Sequence, residues 1–86
     1  MDTKYLEFSE EQIVNFYKLV GSNVKRIRVA KGMSQLDLAL ALGLKSVGLV
    51  SVAEVYYNSK HFNLEHLYKI AAVLECDICE FFRPLP

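Results

Sequence analysis

The sequence predicts an all-α protein, a compact bundle of five helices, on three observations. Apolar residues recur at steps of three and four along much of the chain, as they do on one face of an α-helix. Ser, Asn or Asp residues suited to cap helices stand directly before these segments. No segment has the alternating pattern of a half-buried strand. With 86 residues, 52% of them hydrophobic, the chain is long enough for one small core.

The first predicted helix begins after Ser9. Gln12 follows three residues later, which is the spacing of a capping box. A single apolar stripe then continues through Ile13, Phe16, Tyr17, Val20, Val24 and Ile27. Gly21 lies within this stretch without changing its phase. Either one helix runs from Glu10 to Ala30 or two helices meet near Gly21, and we favour the single helix.

Two short helices are predicted next, joined by a tight turn. Ser34 is suited to cap a helix over residues 35–42, and Gly43 is suited to end it. Ser46 can cap a third helix, from Val47 to about Val55. Two short helices joined by a Gly-containing turn, with helices on both sides, are typical of a helix-turn-helix unit. Such a unit commonly places its second helix in the major groove of DNA.

The last third of the chain predicts a loop and two further helices. The loop covers Tyr56 to Phe62. Asn63 can cap a fourth helix over residues 64–74, whose apolar stripe consists of Leu64, Leu67, Tyr68, Ile70, Ala71 and Leu74. Asp77 can cap a short last helix, Ile78 to Phe82, and the following prolines cannot continue it. We therefore expect residues 22–86 to form the helix-turn-helix domain, with residues 1–21 as a helical extension continuous with it.

The charges balance but are unevenly distributed. The formal net charge is zero and the pI is about 6.7, which is unusual for a DNA-binding protein because phosphate contacts supply most non-specific affinity. Acidic residues are concentrated near the N-terminus. The first helix carries a basic cluster of Lys25, Arg26, Arg28 and Lys31. A neutral total can thus conceal a dipolar surface.

Other functional classes have little support. No apolar run is long enough to span a membrane, and the N-terminus has no apolar signal core, so we expect a cytoplasmic protein. Cys76 and Cys79 form a CxxC, but with His61 and His66 they match no strong zinc spacing, and we expect structural or incidental cysteines. No nucleophile elbow or Gly-rich phosphate loop is present. We predict no enzymatic activity, no metal and no cofactor.

A combination of residues from Asn23 to Phe82 is typical of one family. It comprises Val24, Ile27, residues 28–35, Leu38, Ala39, Gly43, residues 50–54, residues 64–67, residues 70–74 and residues 77–82. In these residues the chain resembles the Xre-type helix-turn-helix proteins, which include phage repressors of the lambda type. Its length and aromatic ending are similar to those of the small controller proteins of restriction–modification systems. The resemblance implies a lambda-repressor-like domain, a bacterial or phage origin, and an ion pair between Arg28 and Glu54.

The resemblance also implies a DNA-contacting surface. Gln35, at the start of helix two, is expected to contact the DNA backbone. Asn23, Asn58 and Lys60 are further candidates for phosphate contacts, although Asn58 and Lys60 can equally belong to an ordinary solvated loop. The face of helix three that would enter the major groove consists of Lys45, Ser46, Val47, Gly48, Ser51 and Val52.

This face has few groups that read bases by hydrogen bonding. Helix two is also unusually apolar: Leu36, Leu40 and Ala41 could form an apolar patch with Leu44, Val47, Leu49 and Val52. Such a patch often marks a protein partner. The N-terminal residues Tyr5, Leu6 and Phe8 are equally able to fold back and cover it.

We therefore predict a sequence-specific transcriptional regulator that binds double-stranded operator DNA through helices two and three, as a homodimer. The dimer surface is expected in the exposed parts of residues 64–82, with the N-terminal segment as the second choice. One alternative is a protein-binding module, an antitoxin or regulatory subunit, that uses the apolar face. Another is DNA binding of low specificity, through backbone contacts and DNA shape.

Overall fold

A computed structural model describes residues 6–86 of the chain. Within these residues the fold is all-helical and contains no strand. Four α-helices are present: α1 (Glu10–Ala30), α2 (Gln35–Ala41), α3 (Gly48–Ala53) and α4 (Leu64–Leu74). Two 3-10 helices, Tyr57–Ser59 and Ile78–Phe82, complete the described part. The prediction of five α-helices is wrong at its last member, because residues 78–82 form a 3-10 helix.

Helix α1 is a single helix of 21 residues, as we favoured. The Ser9 hydroxyl accepts from the Gln12 amide and the Gln12 side chain accepts from the Ser9 amide, so the predicted capping box is present. Gly21 is buried in α1. A Cβ at this position would lie 2.6 Å from the carbonyl oxygens of Ala53 and Glu54, so only glycine lets α1 approach the end of α3 so closely.

The core lies between the second half of α1 and the other helices. Its fully or nearly fully buried apolar side chains are Val20, Val24, Ile27, Leu38, Ala39, Val50, Ala53, Phe62, Leu67, Ile70, Ala71, Leu74 and Phe81. These residues repeat the helical spacings of the sequence, because each amphipathic helix buries its apolar stripe against its neighbours.

The chain end is fastened to α1 by a buried asparagine. Helix α4 is capped by Asn63, as predicted, and ends with Glu75 in the left-handed conformation. Asp77 caps the 3-10 helix by accepting from the Cys79 amide. The Asn23 side-chain amide then donates to the carbonyl oxygens of Phe81 (3.0 Å) and Arg83 (2.7 Å). A buried amide with both donors paired holds this last segment in place.

The described part is elongated, with extents of 49 × 26 × 23 Å. The first half of α1 contains no fully buried residue, whereas the second half contains six. No helix among residues 6–86 is both long and apolar enough to cross a membrane.

Candidate nucleic-acid interface

Helices α2 and α3 form a compact pair joined by the turn of residues 42–47. Ser34 caps α2 in a complete capping box with Asp37, and the hydrogen bonds from Ser34 hold the pKa of the Asp37 carboxyl below its usual range. Gly43 has a φ of 81°, in the left-handed region, and the Leu44 amide donates to the Ala39 carbonyl across the turn. The sequence correctly predicts this helix end.

Helix α3 is shorter than predicted and begins differently. It spans Gly48–Ala53, and its N-cap is Val47, which has no side chain able to accept a hydrogen bond. The prediction that Ser46 caps this helix from Val47 is wrong by one residue. Because Gly48 is a poor helix former and the cap is absent, α3 depends on packing of Val50 and Ala53 rather than on local preference.

A buried polar network fixes α1, α2 and α3 relative to one another. The Arg28 guanidinium binds the Glu54 carboxylate with two hydrogen bonds, of 2.7 and 3.0 Å, and both residues are buried. This is the ion pair that the resemblance implies. Arg28 also donates to the Met33 carbonyl. The Gln35 side-chain amide donates to the same Glu54 carboxylate, at 3.0 Å. Bidentate geometry gives such a pair directional specificity.

The structure brings most predicted contact residues to the surface around this unit. Lys45, Ser46, Val47 and Gly48 are exposed at the start of α3. Ser51 and Val52 are partly buried, and the Ser51 hydroxyl donates to the Gly48 carbonyl within the helix. Gln35 is also partly buried because its side chain faces Glu54.

Asn23 does not belong to this surface. Its exposed fraction is 0%, and its amide group is engaged with the chain end and with Arg26. The prediction of a phosphate contact by Asn23 is therefore wrong; the residue is a structural connection between α1 and the segment after α4. The sequence carries no signal for this, because its partners are backbone carbonyls 58 and 60 residues away.

The loop after α3 presents Asn58 and Lys60 to solvent. Tyr56, Asn58 and Ser59 have positive φ angles, so the loop adopts a conformation that non-glycine residues rarely take. An aromatic stack supports it: the Tyr17 ring lies 5.5 Å from Tyr56 and 3.9 Å from His61, centroid to centroid. Tyr56 thus packs on α1, while Tyr57 is 56% exposed.

The apolar patch of α2 is uncovered in the described structure. Leu36 and Leu40 are 49% and 56% exposed, and Val47 is 36% exposed. Ala41 is also exposed, whereas Leu44, Leu49 and Val52 are partly buried. Leu6 and Phe8, proposed as an internal cover, are themselves 75% and 70% exposed. Tyr5, the third residue of that cover, lies outside the described residues.

The cysteines and histidines do not assemble into a site. Cys76 is half-buried and Cys79 exposed, both as free thiols. Partial burial raises the pKa of the Cys76 thiol, and a hydrogen bond with Asp77 raises that of Cys79, which disfavours the reactive thiolate in both. Among residues 6–86 no group of three or more His, Cys, Asp or Glu side chains is placed to hold a metal ion.

The family comparison decides what this helix pair is. The family model described as Helix-turn-helix matches residues 24–81, which is two thirds of the chain. The chain belongs to the helix-turn-helix family of Xre-type and lambda-repressor-like proteins. This is a family of DNA-binding regulators and generally not of enzymes. No curated protein matches the chain. The helix-turn-helix match includes the whole network of Arg28, Gln35 and Glu54, and it begins one residue after Asn23.

Proposed function

We propose that this helix-turn-helix protein is a sequence-specific transcriptional regulator that binds operator DNA as a homodimer, through α2 and the start of α3. One observation supports the DNA face above the others. The network of Arg28, Gln35 and Glu54 locks α2 against α3, while the segment 45–48 between them stays exposed. A rigid helix pair with an accessible second helix is what insertion into a major groove requires.

The proposed face combines few base contacts with several backbone contacts. Lys45, Ser46 and Ser51 offer hydrogen bonds, and Val47 and Val52 offer apolar contact with thymine methyl groups. Gln35, Asn58 and Lys60 would contact phosphates from either side. Because Gly48 carries no side chain, the DNA backbone or a base edge could approach α3 closely there. Specificity then depends partly on DNA shape.

A neutral chain can bind DNA when its charges are separated. Glu7 precedes α1, and Glu10 and Glu11 lie in its first turn. Lys45 precedes α3, and Lys60 lies in the loop after it. Both lysines are exposed. The proposed function places the protein in the cytoplasm, where its DNA would be.

The test is fluorescence anisotropy with the duplex upstream of the protein's own gene and a scrambled duplex, at two salt concentrations. Lys45→Ala combined with Lys60→Ala should weaken binding at least tenfold and reduce the logarithmic salt slope by about two, one for each lost phosphate contact. Lys69→Ala is the matched control, because Lys69 is an exposed lysine of α4 that pairs with Glu65. Equal binding by the double variant and the control would disprove the assigned face.

A second candidate function rests on the apolar patch of α2. Because Leu36 and Leu40 are about half exposed on consecutive turns, this face could bind a protein, as an antitoxin or a regulatory subunit does. Leu40→Glu should then abolish co-purification of the partner while duplex binding and helicity persist. Leu64→Glu changes an equally apolar, more exposed position on α4 and is the control. Retention of the partner by Leu40→Glu would exclude this function.

A further inference from the structure

A second apolar surface is formed by residues from the two ends of the described chain, before and after the segment that matches the family. Six large apolar side chains, from 38% to 75% exposed, come from the segment before α1, the first half of α1 and the chain end: Leu6, Phe8, Ile13, Phe16, Phe82 and Leu85. All six fall outside residues 24–81, where the family match lies. We name this surface the flanking patch. It therefore lies outside the part of the chain that matches the family.

The flanking patch continues the core stripe of α1. Ile13 lies three residues before Phe16 and four before Tyr17, and Phe16 lies four residues before Val20. Ile13 and Phe16 therefore lie on the face that the core buries further along the helix. Phe16 also stacks on Phe82, with centroids 6.1 Å apart and rings inclined by 18°. The helix and the chain end therefore meet in one surface.

Phe8 stands directly before the Ser9 capping box, at the start of the same helix. Phe8 directly precedes the N-cap and Ile13 is the fourth residue of the helix, the two positions that pack together in a hydrophobic staple. Even so, Phe8 is 70% exposed and Ile13 is 45% exposed. A monomer leaves most of this apolar area in water.

We propose that two copies of this chain pair through the flanking patch, with the first halves of their α1 helices antiparallel. This deepens the dimer of the proposed function by naming its surface. With the two-fold axis midway between Val14 and Asn15, Ile13 of each copy faces Phe16 of the other. One patch then serves both sides, as an isologous interface requires.

The exposed apolar area reaches the lower end of the range that a specific interface buries. The six side chains together expose about 600 Å² per copy, if a fully exposed large apolar side chain presents about 200 Å². Specific interfaces bury about 600–1,000 Å² on each partner. The polar rim and the backbone around these side chains would add to the apolar part.

Charge favours the antiparallel arrangement and a second copy as the partner. The first turn of α1 is acidic, with Glu10 and Glu11, and Lys18 lies two turns further along, where it faces Glu11 of the other copy. Antiparallel pairing lays the acidic end of one helix along the basic part of the other and opposes the two helix dipoles. Parallel pairing would place like charges together.

The test is sedimentation equilibrium of the full chain without DNA. We expect a wild-type dimer, and dimerisation at least about 30-fold weaker in Ile13→Glu and in Phe8→Glu, the factor for losing a central interface residue. Phe8 precedes the helix and is mostly exposed, so Phe8→Glu leaves folding intact, which circular dichroism verifies. Tyr68→Glu is the control, because Tyr68 is an aromatic residue of α4 that is 74% exposed.

A monomeric wild type at every concentration would overturn the proposal. So would dissociation of Tyr68→Glu with dimers retained by Ile13→Glu and Phe8→Glu, since the interface would then lie on α4. This test does not depend on the DNA face. If Phe8→Glu loses the dimer and the wild type binds no duplex, the flanking patch is still the dimer surface, but the proposed function is disproved.

Discussion

The second half of α1 buries Val20, Val24 and Ile27, whereas Ile13 and Phe16, on the same stripe of the first half, remain about half exposed. The two halves have the same helical phase and similar side chains. They differ in their surroundings, because all the buried residues of α1 lie in the second half, where the core is, whereas Phe16 in the first half stacks on the partly exposed ring of Phe82. Periodicity therefore identifies the face of a helix that prefers to be buried, but not what buries it.

The largest change in stability is expected from the polar network that holds the buried half of α1. Glu54→Ala would leave the buried Arg28 charge without its partner, and we expect a loss of about 3–5 kcal/mol in the free energy of unfolding. Urea denaturation measures it. Glu65→Ala removes an exposed ion pair with Lys69 and should leave the free energy of unfolding almost unchanged, because solvent screens the pair. Similar losses in both variants would contradict the special role of the buried pair.

Glycine should be required in the buried half and alanine preferred in the exposed half. Gly21→Ala would place a Cβ 2.6 Å from two backbone carbonyl oxygens of α3, and we expect destabilisation by about 1–3 kcal/mol. On helix propensity alone, the same change would stabilise the protein by about 1 kcal/mol. Asn15→Ala, at an exposed position of the first half, should be neutral or slightly stabilising. A stabilised Gly21→Ala variant would show that α1 and α3 can separate without cost.

Two of the three capping boxes, at Ser9 and Ser34, allow a smaller comparison. Ser34→Ala uncaps α2, which packs on the core, and should cost about 1 kcal/mol of global stability. Ser9→Ala uncaps the exposed half of α1, whose first turns can fray without opening the core, so its global cost should be below about 0.5 kcal/mol in a monomer. Hydrogen exchange should instead report faster exchange in the first turns of α1. Equal global costs would mean that the exposed half is coupled to the core.

The smallest expected effect is a pH dependence at α4. Burial holds the pKa of the His66 imidazole below its ordinary value of 6.5, and the neutral ring accepts from the Asn63 amide. The unfolded chain therefore binds the proton more readily, so this contribution is complete above pH 6.5 and is lost as the pH falls through the folded-state pKa. His66→Gln keeps an acceptor at this position and does not titrate. Thermal unfolding of both proteins between pH 7.5 and 5 should diverge only on the acid side, where the wild type loses stability relative to His66→Gln.

The local signals of the sequence predicted those features that depend on nearby residues. The caps at Ser9, Ser34 and Asn63 depend on a side chain and an amide three residues apart, and all three are present. The family resemblance supplied the pairing of Arg28 with Glu54, which spacing alone cannot give. Ser46 failed as a cap because the turn after Gly43 extends through Val47, and packing of Val50 determines where α3 begins.

What the sequence by itself determined is the helical content, the positions of most helix ends and the apolar faces, since these follow from hydrogen bonds and periodicity within a few residues. Only the tertiary structure decided the role of Asn23, the need for Gly21 and the exposure of Ile13 and Phe16. Each of these depends on a contact, or the lack of one, between segments distant in the chain: with the carbonyls of Phe81 and Arg83, with the end of α3, and with a core that does not extend to the first half of α1.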